Sequence, residues 1–122
     1  MENIQEMLNT VLQDLKSIAN IEASVIVSHQ GLTILSDVPD YVPEAKLAAF
    51  TATIMGSAKT VMEELRQKSP NMLIIRSIES IAIFMEAGEN AILGTLFSDD
   101  GNIGLVIVEM EKACKKINAI LE

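Results

Sequence analysis

The chain has 122 residues, of which 49% are hydrophobic and 3% aromatic, and its 9 Lys and Arg against 17 Asp and Glu give a net charge of −8. An acidic surface repels phosphate backbones and few aromatic rings are available to stack on bases, so we expect no nucleic-acid partner. No apolar run reaches the roughly 18 residues of a membrane span, and a single cysteine, Cys114, leaves no intramolecular disulfide and no zinc site built on several thiolates.

The first predicted element is an amphipathic helix over residues 2–19. Apolar residues recur there every three or four positions and form one stripe. That stripe, which we expect to face the core, comprises Ile4, Met7, Leu8, Val11, Leu15 and Ile18. The chain begins with acidic residues, whereas a secretory signal would be basic and then strongly apolar, so we expect a cytoplasmic protein.

A β-hairpin follows the first helix. Residues 23–28 are rich in β-branched side chains, His29-Gln30-Gly31 provides a turn, and residues 32–36 form the returning strand. The loop over residues 37–43 contains two prolines and places the second, Pro43, in the first turn of the next helix.

The long helix predicted over residues 43–69 has two apolar stripes on opposite faces, since successive residues are about 100° apart. The large stripe comprises Leu47, Phe50, Ile54, Val61 and Leu65. The small stripe comprises Ala45, Ala48, Ala49, Ala52 and Gly56. We expect the large stripe to face the core and the small stripe to allow the close approach of a second helix.

Three short apolar runs, at residues 72–77, 81–87 and 91–98, predict an antiparallel meander covered on both faces. Residues 99–102 cap a final helix. The apolar stripe of that helix comprises Ile103, Val106, Ile107, Met110, Cys114, Ile117 and Leu121. The predicted order is therefore α-β-β-α-β-β-β-α, and a five-stranded antiparallel sheet with helices on both faces buries every stripe.

This order, together with the hairpin SVIVSHQGLTILSD and the ending LGTLFSDDGNIGLVIVEMEKACKKI, resembles the Roadblock family over almost the whole chain. The best-marked positions are Gly31-Leu32 and residues 102–105. The family includes dynein light chains, subunits of scaffolds that hold Ras-like GTPases, and bacterial and archaeal regulators of such GTPases. The resemblance implies an α/β (α+β) fold, a profilin-like sandwich that forms one domain over residues 1–122.

The resemblance also implies a dimer, in which the middle helices of two copies meet and their edge strands join into one sheet. Carried over by position, the small stripe would meet its symmetry mate, and Met72, Ile74 and Arg76 would lie on the joined strand. Lys59 and Glu63 continue the small stripe by one and two turns. They either form ion pairs with the partner or lie in solvent.

Candidate catalytic and metal-binding residues have simpler structural interpretations. No Gly-x-x-x-x-Gly-Lys-Ser/Thr motif is present, so the chain would act on a GTPase rather than be one. We interpret His29 as a turn residue and Cys114 as a buried thiol, not as a nucleophile pair. Asp37 and Asp40 are interpreted as loop residues.

The remaining polar candidates are one acidic segment and two arginines. Asp99, Asp100 and Asn102 lack the spacing of a calcium loop and are interpreted as a turn and a helix cap. Arg66 and Arg76 could act as arginine fingers, but neither lies on a loop tip with free reach. We interpret both as surface or interface charges.

The sequence thus predicts a non-enzymatic, homodimeric binding module that scaffolds or regulates a Ras-like small GTPase, without cofactor or metal. One alternative is a structural subunit of a larger assembly, formed by heterodimerisation with a related Roadblock chain. Another is a small-molecule sensor. It is disfavoured because the interior positions are almost uniformly aliphatic, whereas a ligand pocket needs convergent polar groups.

Overall fold

The computed structural model describes residues 2–100 and 102–122, so Gly101 of the predicted capping segment lies outside the described residues. The elements are α1 (Ile4–Ala19), β1 (Ala23–Val27), β2 (Thr33–Asp37), α2 (Glu44–Glu64), β3 (Met72–Arg76), β4 (Ser80–Glu86), β5 (Ile92–Ser98) and α3 (Ile103–Leu121). The strands form one antiparallel sheet in the order β2-β1-β5-β4-β3, which leaves β2 and β3 at its edges. The predicted element order and the five-stranded antiparallel sheet are confirmed.

Most predicted boundaries agree with the structure within two residues, but α2 ends five residues before the predicted end at residue 69. The backbone N–H of Gln67 donates to the carbonyl oxygen of Met62 (2.8 Å), and that of Arg66 donates to the carbonyl oxygen of Glu63 (2.9 Å). Arg66 has a φ of +57°. These features form a Schellman motif, in which the left-handed residue is usually glycine. Because arginine occupies that position, the sequence carried no visible stop signal.

Helices α1 and α3 pack against each other and cover one face of the sheet. The buried side of α1 comprises Leu8, Val11, Leu12, Leu15 and Ala19. The predicted stripe is wrong at its margins, since Ile4, Met7 and Ile18 are 54%, 37% and 55% exposed. The helix buries only the narrow side that meets both α3 and the sheet, and residues on either flank of that side remain in solvent.

Helix α2 packs on the opposite face, against β1, β2 and β5. Its buried residues are Ala48, Thr51 and Met55, a line that runs between the two predicted stripes. The prediction that the large stripe faces the core is wrong for Phe50 and for Val61 and Leu65, which are all exposed. Leu47 and Ile54 are half-buried. Because the buried line lies between the two stripes, the large stripe occupies one flank of α2 and points partly away from the sheet.

The edge strand β2 is tied to both neighbouring helices by polar contacts. The Lys16 ammonium lies 3.4 Å from Asp37 Oδ2, and Gln13 Nε2 donates to the same oxygen at 3.2 Å. On the other side, Ser36 Oγ donates to Glu44 Oε1 at 2.6 Å. These contacts place an ordered carboxylate at the end of this edge.

Candidate interaction surface

The outer edge of β3 presents backbone groups that have no neighbouring strand among the described residues. The carbonyl oxygen of Asn71 accepts from the N–H of Glu86 (2.9 Å), and the N–H of Ser77 donates to the carbonyl oxygen of Ser80 (2.8 Å). Odd-numbered positions of β3 therefore face β4. Because the direction alternates along a strand, the N–H and C=O groups of Met72, Ile74 and Arg76 point outward.

The face of the sheet that carries α2 is only partly covered. A groove of about 160 Å³ lies between Leu47 of the large stripe and the sheet. Its other lining residues are almost all apolar: Ala23, Ser24, Val25, Val42, Ala82, Phe84, Gly94, Thr95 and Leu96. On the same face of β3, Leu73 is half-buried and Ile75 is 41% exposed. Apolar surface is thus open on the sheet beside the large stripe.

The large stripe itself provides further exposed apolar area. Phe50, Val61 and Leu65 are 67%, 56% and 62% exposed. Side chains of this size seldom line one side of a helix in solvent without a partner, since large exposed apolar patches mark interaction sites. This flank of α2 is therefore the candidate contact surface on the helix.

The small stripe lies on the other flank of α2, and the structure places part of it inside the protomer. Ala48 is fully buried within its own protomer, and its place in a contact with a partner helix stays a prediction. A β carbon built on Gly31 would lie 3.2 Å from the Cα of Ala49 and 3.7 Å from the Cβ of Ala52. The close approach expected of small residues occurs here, but with the β1–β2 turn of the same chain. Ala45, Ala49 and Gly56 remain exposed.

Lys59 and Glu63 are both exposed, and neither takes part in an ion pair within the described residues. Lys59 lines a cleft of about 600 Å³ between α2 and the turns at one end of the sheet. On the opposite side of this cleft, His29 Nε2 and Glu86 Oε2 are 2.5 Å apart and join the β1–β2 turn to the end of β4.

Arg76 is held against its own protomer. Its Nη2 lies 2.7 Å from Asp99 Oδ1, and its Nε donates to Asp99 Oδ2 at 3.4 Å. The backbone N–H of Asp99 in turn donates to the carbonyl oxygen of Glu79 (2.9 Å). This exposed ion pair links the end of β3 to the segment after β5, and pairs of this kind contribute only about 0–1 kcal/mol.

Cys114 has the properties of a structural thiol. It is 6% exposed, and burial raises its pKa to about 12, with the charges of Glu86 and Glu111 adding to the effect. The thiol is neutral near pH 7 and is therefore a poor nucleophile. Within residues 2–100 and 102–122, no three or more His, Cys, Asp or Glu side chains are grouped as a metal site requires.

Sequence reasoning missed Ile78, which is 95% exposed in the turn between β3 and β4. The only signal in the sequence was an isolated apolar residue between Ser77 and Glu79, and an analysis of hydrophobic periodicity gives no information about a single residue in a turn.

In the part of the chain that the structure describes, none of the helices combines the length and apolar character needed to cross a membrane.

Comparison with known proteins agrees with this architecture. The family model described as the Roadblock/LC7 domain matches residues 7–97. The uncharacterized protein MJ1340 of Methanocaldococcus jannaschii is 28% identical over 114 residues, which cover 93% of this chain and 99% of that protein.

Solved structures share the fold. Myxococcus xanthus MglB has a TM-score of 0.91 at 19% identity, over 99% of this chain and 92% of that one. Acanthamoeba castellanii profilin IA has a TM-score of 0.68 at 12% identity, over 96% of this chain and 98% of that one. The sandwich is thus profilin-like, as predicted. Since the family model matches most of its length, the protein belongs to the Roadblock/LC7 domain family.

Proposed function

We propose that the protein is a non-enzymatic, homodimeric module of one domain, residues 1–122, that scaffolds or regulates a Ras-like small GTPase in the cytoplasm. Family membership supports the GTPase partner, because the Roadblock family resembled by the sequence includes regulators and scaffolds of such GTPases. The observation that carries the homodimer is the exposed large stripe of α2 beside an edge strand whose outward backbone groups have no partner strand among the described residues.

The energetics favour covering these surfaces. Burial of one large aliphatic or aromatic side chain contributes about 1.5–3 kcal/mol, and Phe50, Val61 and Leu65 are each more than half exposed. An apolar edge strand is also an aggregation hazard unless it is paired. A second copy that pairs with β3 and covers the large stripe removes both liabilities in one symmetric contact.

The proposed contact therefore differs from the one implied by the family resemblance alone. We assign it to the large stripe of α2 and to Met72, Ile74 and Arg76 of β3. Ala48 is buried by its own protomer and Ala52 is half-buried beside the β1–β2 turn. Ala45, Ala49 and Gly56 lie on the opposite flank of α2, where Lys59 and Glu63 continue the stripe into solvent.

Regulation of the GTPase would be indirect. This proposal assigns no catalytic group to the chain, because Arg76 is paired with Asp99 and Cys114 is neutral and buried. A regulator without an inserted arginine acts by repositioning the switch segments of the GTPase. It must bind the two nucleotide states with different affinities, since only a differential contact shifts such an equilibrium.

The test measures the mass of the purified protein by light scattering and its co-elution with Ras-like GTPases of the host. Each GTPase is loaded with GDP or with a non-hydrolysable GTP analogue. A dimer mass with nucleotide-dependent binding supports a regulator, whereas equal binding supports a passive scaffold. A dimer that binds neither form would favour the structural subunit, and a monomer mass would contradict the homodimer.

A further inference from the structure

The cleft between α2 and the turns at one end of the sheet has walls of opposite charge. Helix α2 contributes Lys59, whose ammonium has no carboxylate partner within the described residues. The other wall contains Glu86, at the end of β4, and Glu89, in the β4–β5 turn. His29 Nε2 contacts Glu86 Oε2, while Glu86 Oε1 and the Glu89 carboxylate accept no hydrogen bond from the part of the chain that the structure describes. An unpaired cation thus lies across the cleft from unused carboxylate oxygens.

The floor of the cleft is apolar and includes bare backbone at Gly56. Its apolar side chains are those of Ala52, Met55 and Pro70. A β carbon on Gly56 would have no described atom within 4 Å outside its own helical neighbourhood, so packing within the protomer does not require glycine there. A glycine inside a helix costs about 1 kcal/mol relative to alanine, and one use of glycine is to let a ligand approach the backbone closely. The floor is therefore open to direct contact with an occupant.

The length of the cleft matches about three residues of extended chain. Its lining positions on α2 run from Ala52 to Lys59, a helix length of about 10 Å, and an extended chain advances about 3.3 Å per residue. The volume, about 600 Å³, lies within the range of roughly 300–1,000 Å³ that is typical of ligand sites. Neighbouring side chains of an extended chain point to opposite sides, so successive residues in the cleft would face its two oppositely charged walls.

We propose that the cleft binds an extended segment of a partner protein in which an arginine adjoins an acidic residue. The guanidinium donates to Glu86 Oε1 and to Glu89, and the acidic side chain pairs with Lys59. A planar guanidinium can donate to two oxygens at once, and its aliphatic stem would lie along the apolar floor. The cleft opens on the flank of α2 opposite the large stripe. The site is therefore independent of the proposed homodimer contact, and each copy of a dimer would carry one.

The first experiment measures binding of a fluorescein-labelled peptide, Gly-Ala-Arg-Glu-Ala-Gly, to the purified protein by fluorescence anisotropy. The matched control peptide has Gln-Gln in place of Arg-Glu. We expect saturable binding of the first peptide with a Kd about twenty-fold below that of the control, since two ion pairs are lost in the control. Equal affinities, or no binding of either peptide, would overturn the inference. Free arginine that competes as well as the unlabelled peptide would also overturn it, because the site would then be one for small molecules.

Charge-removing variants of the protein test the two walls. Glu89→Gln and Lys59→Gln should each raise the peptide Kd by about five-fold. Glu79→Gln removes the same charge from the β3–β4 turn, outside the cleft lining, and should leave the Kd unchanged. Equal weakening by Glu79→Gln would mean that the peptide responds only to the net charge of −8, which would overturn the assigned site.

A further pair of variants tests the floor. Gly56→Leu places a side chain in the cleft, whereas Ser57→Leu adds the same side chain at an exposed neighbouring position that does not line it. We expect Gly56→Leu alone to abolish peptide binding, with an unfolding midpoint no lower than that of the wild type. Retained binding would overturn the inference. Light scattering of the same samples separates the two proposals: a wild-type monomer that binds the peptide contradicts only the homodimer, and a dimer that does not bind it contradicts only the cleft.

Discussion

The Cα of Ala49 lies 3.2 Å from the point that a β carbon on Gly31 would occupy. This close approach joins the β1–β2 turn to the middle of α2, where it also brings the turn near Ala48 and Ala52. Gly31 also has a φ of +89°, a conformation that side chains with a β carbon rarely adopt. Two independent constraints thus require glycine at this position.

We expect Gly31→Ala to lower the free energy of unfolding by about 1–3 kcal/mol, because it adds backbone strain and crowds Ala49. Gly56→Ala is the matched control within α2. A β carbon on Gly56 would have no atom of the described residues within 4 Å outside its own helical neighbourhood, so this change should stabilise the helix by about 0.5–1 kcal/mol. Urea denaturation followed by circular dichroism measures both. Equal effects of the two substitutions would contradict the assigned contact.

The two flanks of α2 can be distinguished by a single charge at adjacent positions. Phe50→Glu places a carboxylate in the large stripe and should reduce the solution mass to that of a monomer while the helical signal remains. Ala49→Glu adds the same charge on the exposed small-stripe flank and should leave the dimer intact. Light scattering at matched concentration provides the measurement. If only Ala49→Glu gave a monomer, the contact would belong to the small stripe.

The left-handed conformation of Arg66 predicts a stabilising substitution. A residue with a β carbon at a φ of +57° carries strain that glycine avoids. We expect Arg66→Gly to raise the free energy of unfolding by about 1 kcal/mol. Arg66→Ala removes the same charge but keeps the strain, so it should not stabilise. Thermal unfolding of both variants separates the two causes, and stabilisation by Arg66→Ala would assign the effect to charge.

The buried thiol of Cys114 predicts a decline of stability in base. Its pKa is raised from 9.0 to about 12 in the folded protein, so above pH 9 the folded state retains a proton that the unfolded state releases. Stability should then fall with a slope approaching about 1.4 kcal/mol per pH unit between these values. The Cys114→Ala variant should lack this component. Chemical denaturation between pH 8 and pH 10.5 tests the difference, and parallel profiles would contradict it.

Hydrophobic patterning was sufficient for the order of the elements, because apolar helical stripes and short apolar runs are separated by polar turns. It was not sufficient for the orientation of α2. Both stripes of α2 are apolar. A helix face that packs on a sheet and a helix face that packs on a second helix contain similar apolar residues, so composition does not tell the two faces apart. The buried line through Thr51 lies between the stripes, where no pattern of side-chain size predicts it.

The candidate surface was predicted in part. Strand position alone placed Met72, Ile74 and Arg76 together, and the structure locates all three on the edge strand β3. The pairing of Arg76 with Asp99 depends on residues far apart in sequence, which the loop after β5 brings together. Such long-range polar contacts follow from tertiary structure and leave no local trace in one sequence.

The contacts of Lys16 and Gln13 with Asp37 have a consequence for the size of any assembly that this protein forms. If two copies join through β3, each end of the combined sheet is a β2 strand, and end-to-end addition of further dimers would bring these strands together. Asp37 is held in place on that strand by Lys16 and Gln13, so each end is a strand of five residues that carries hydrated charged groups. This arrangement favours a closed particle over an extending fibre.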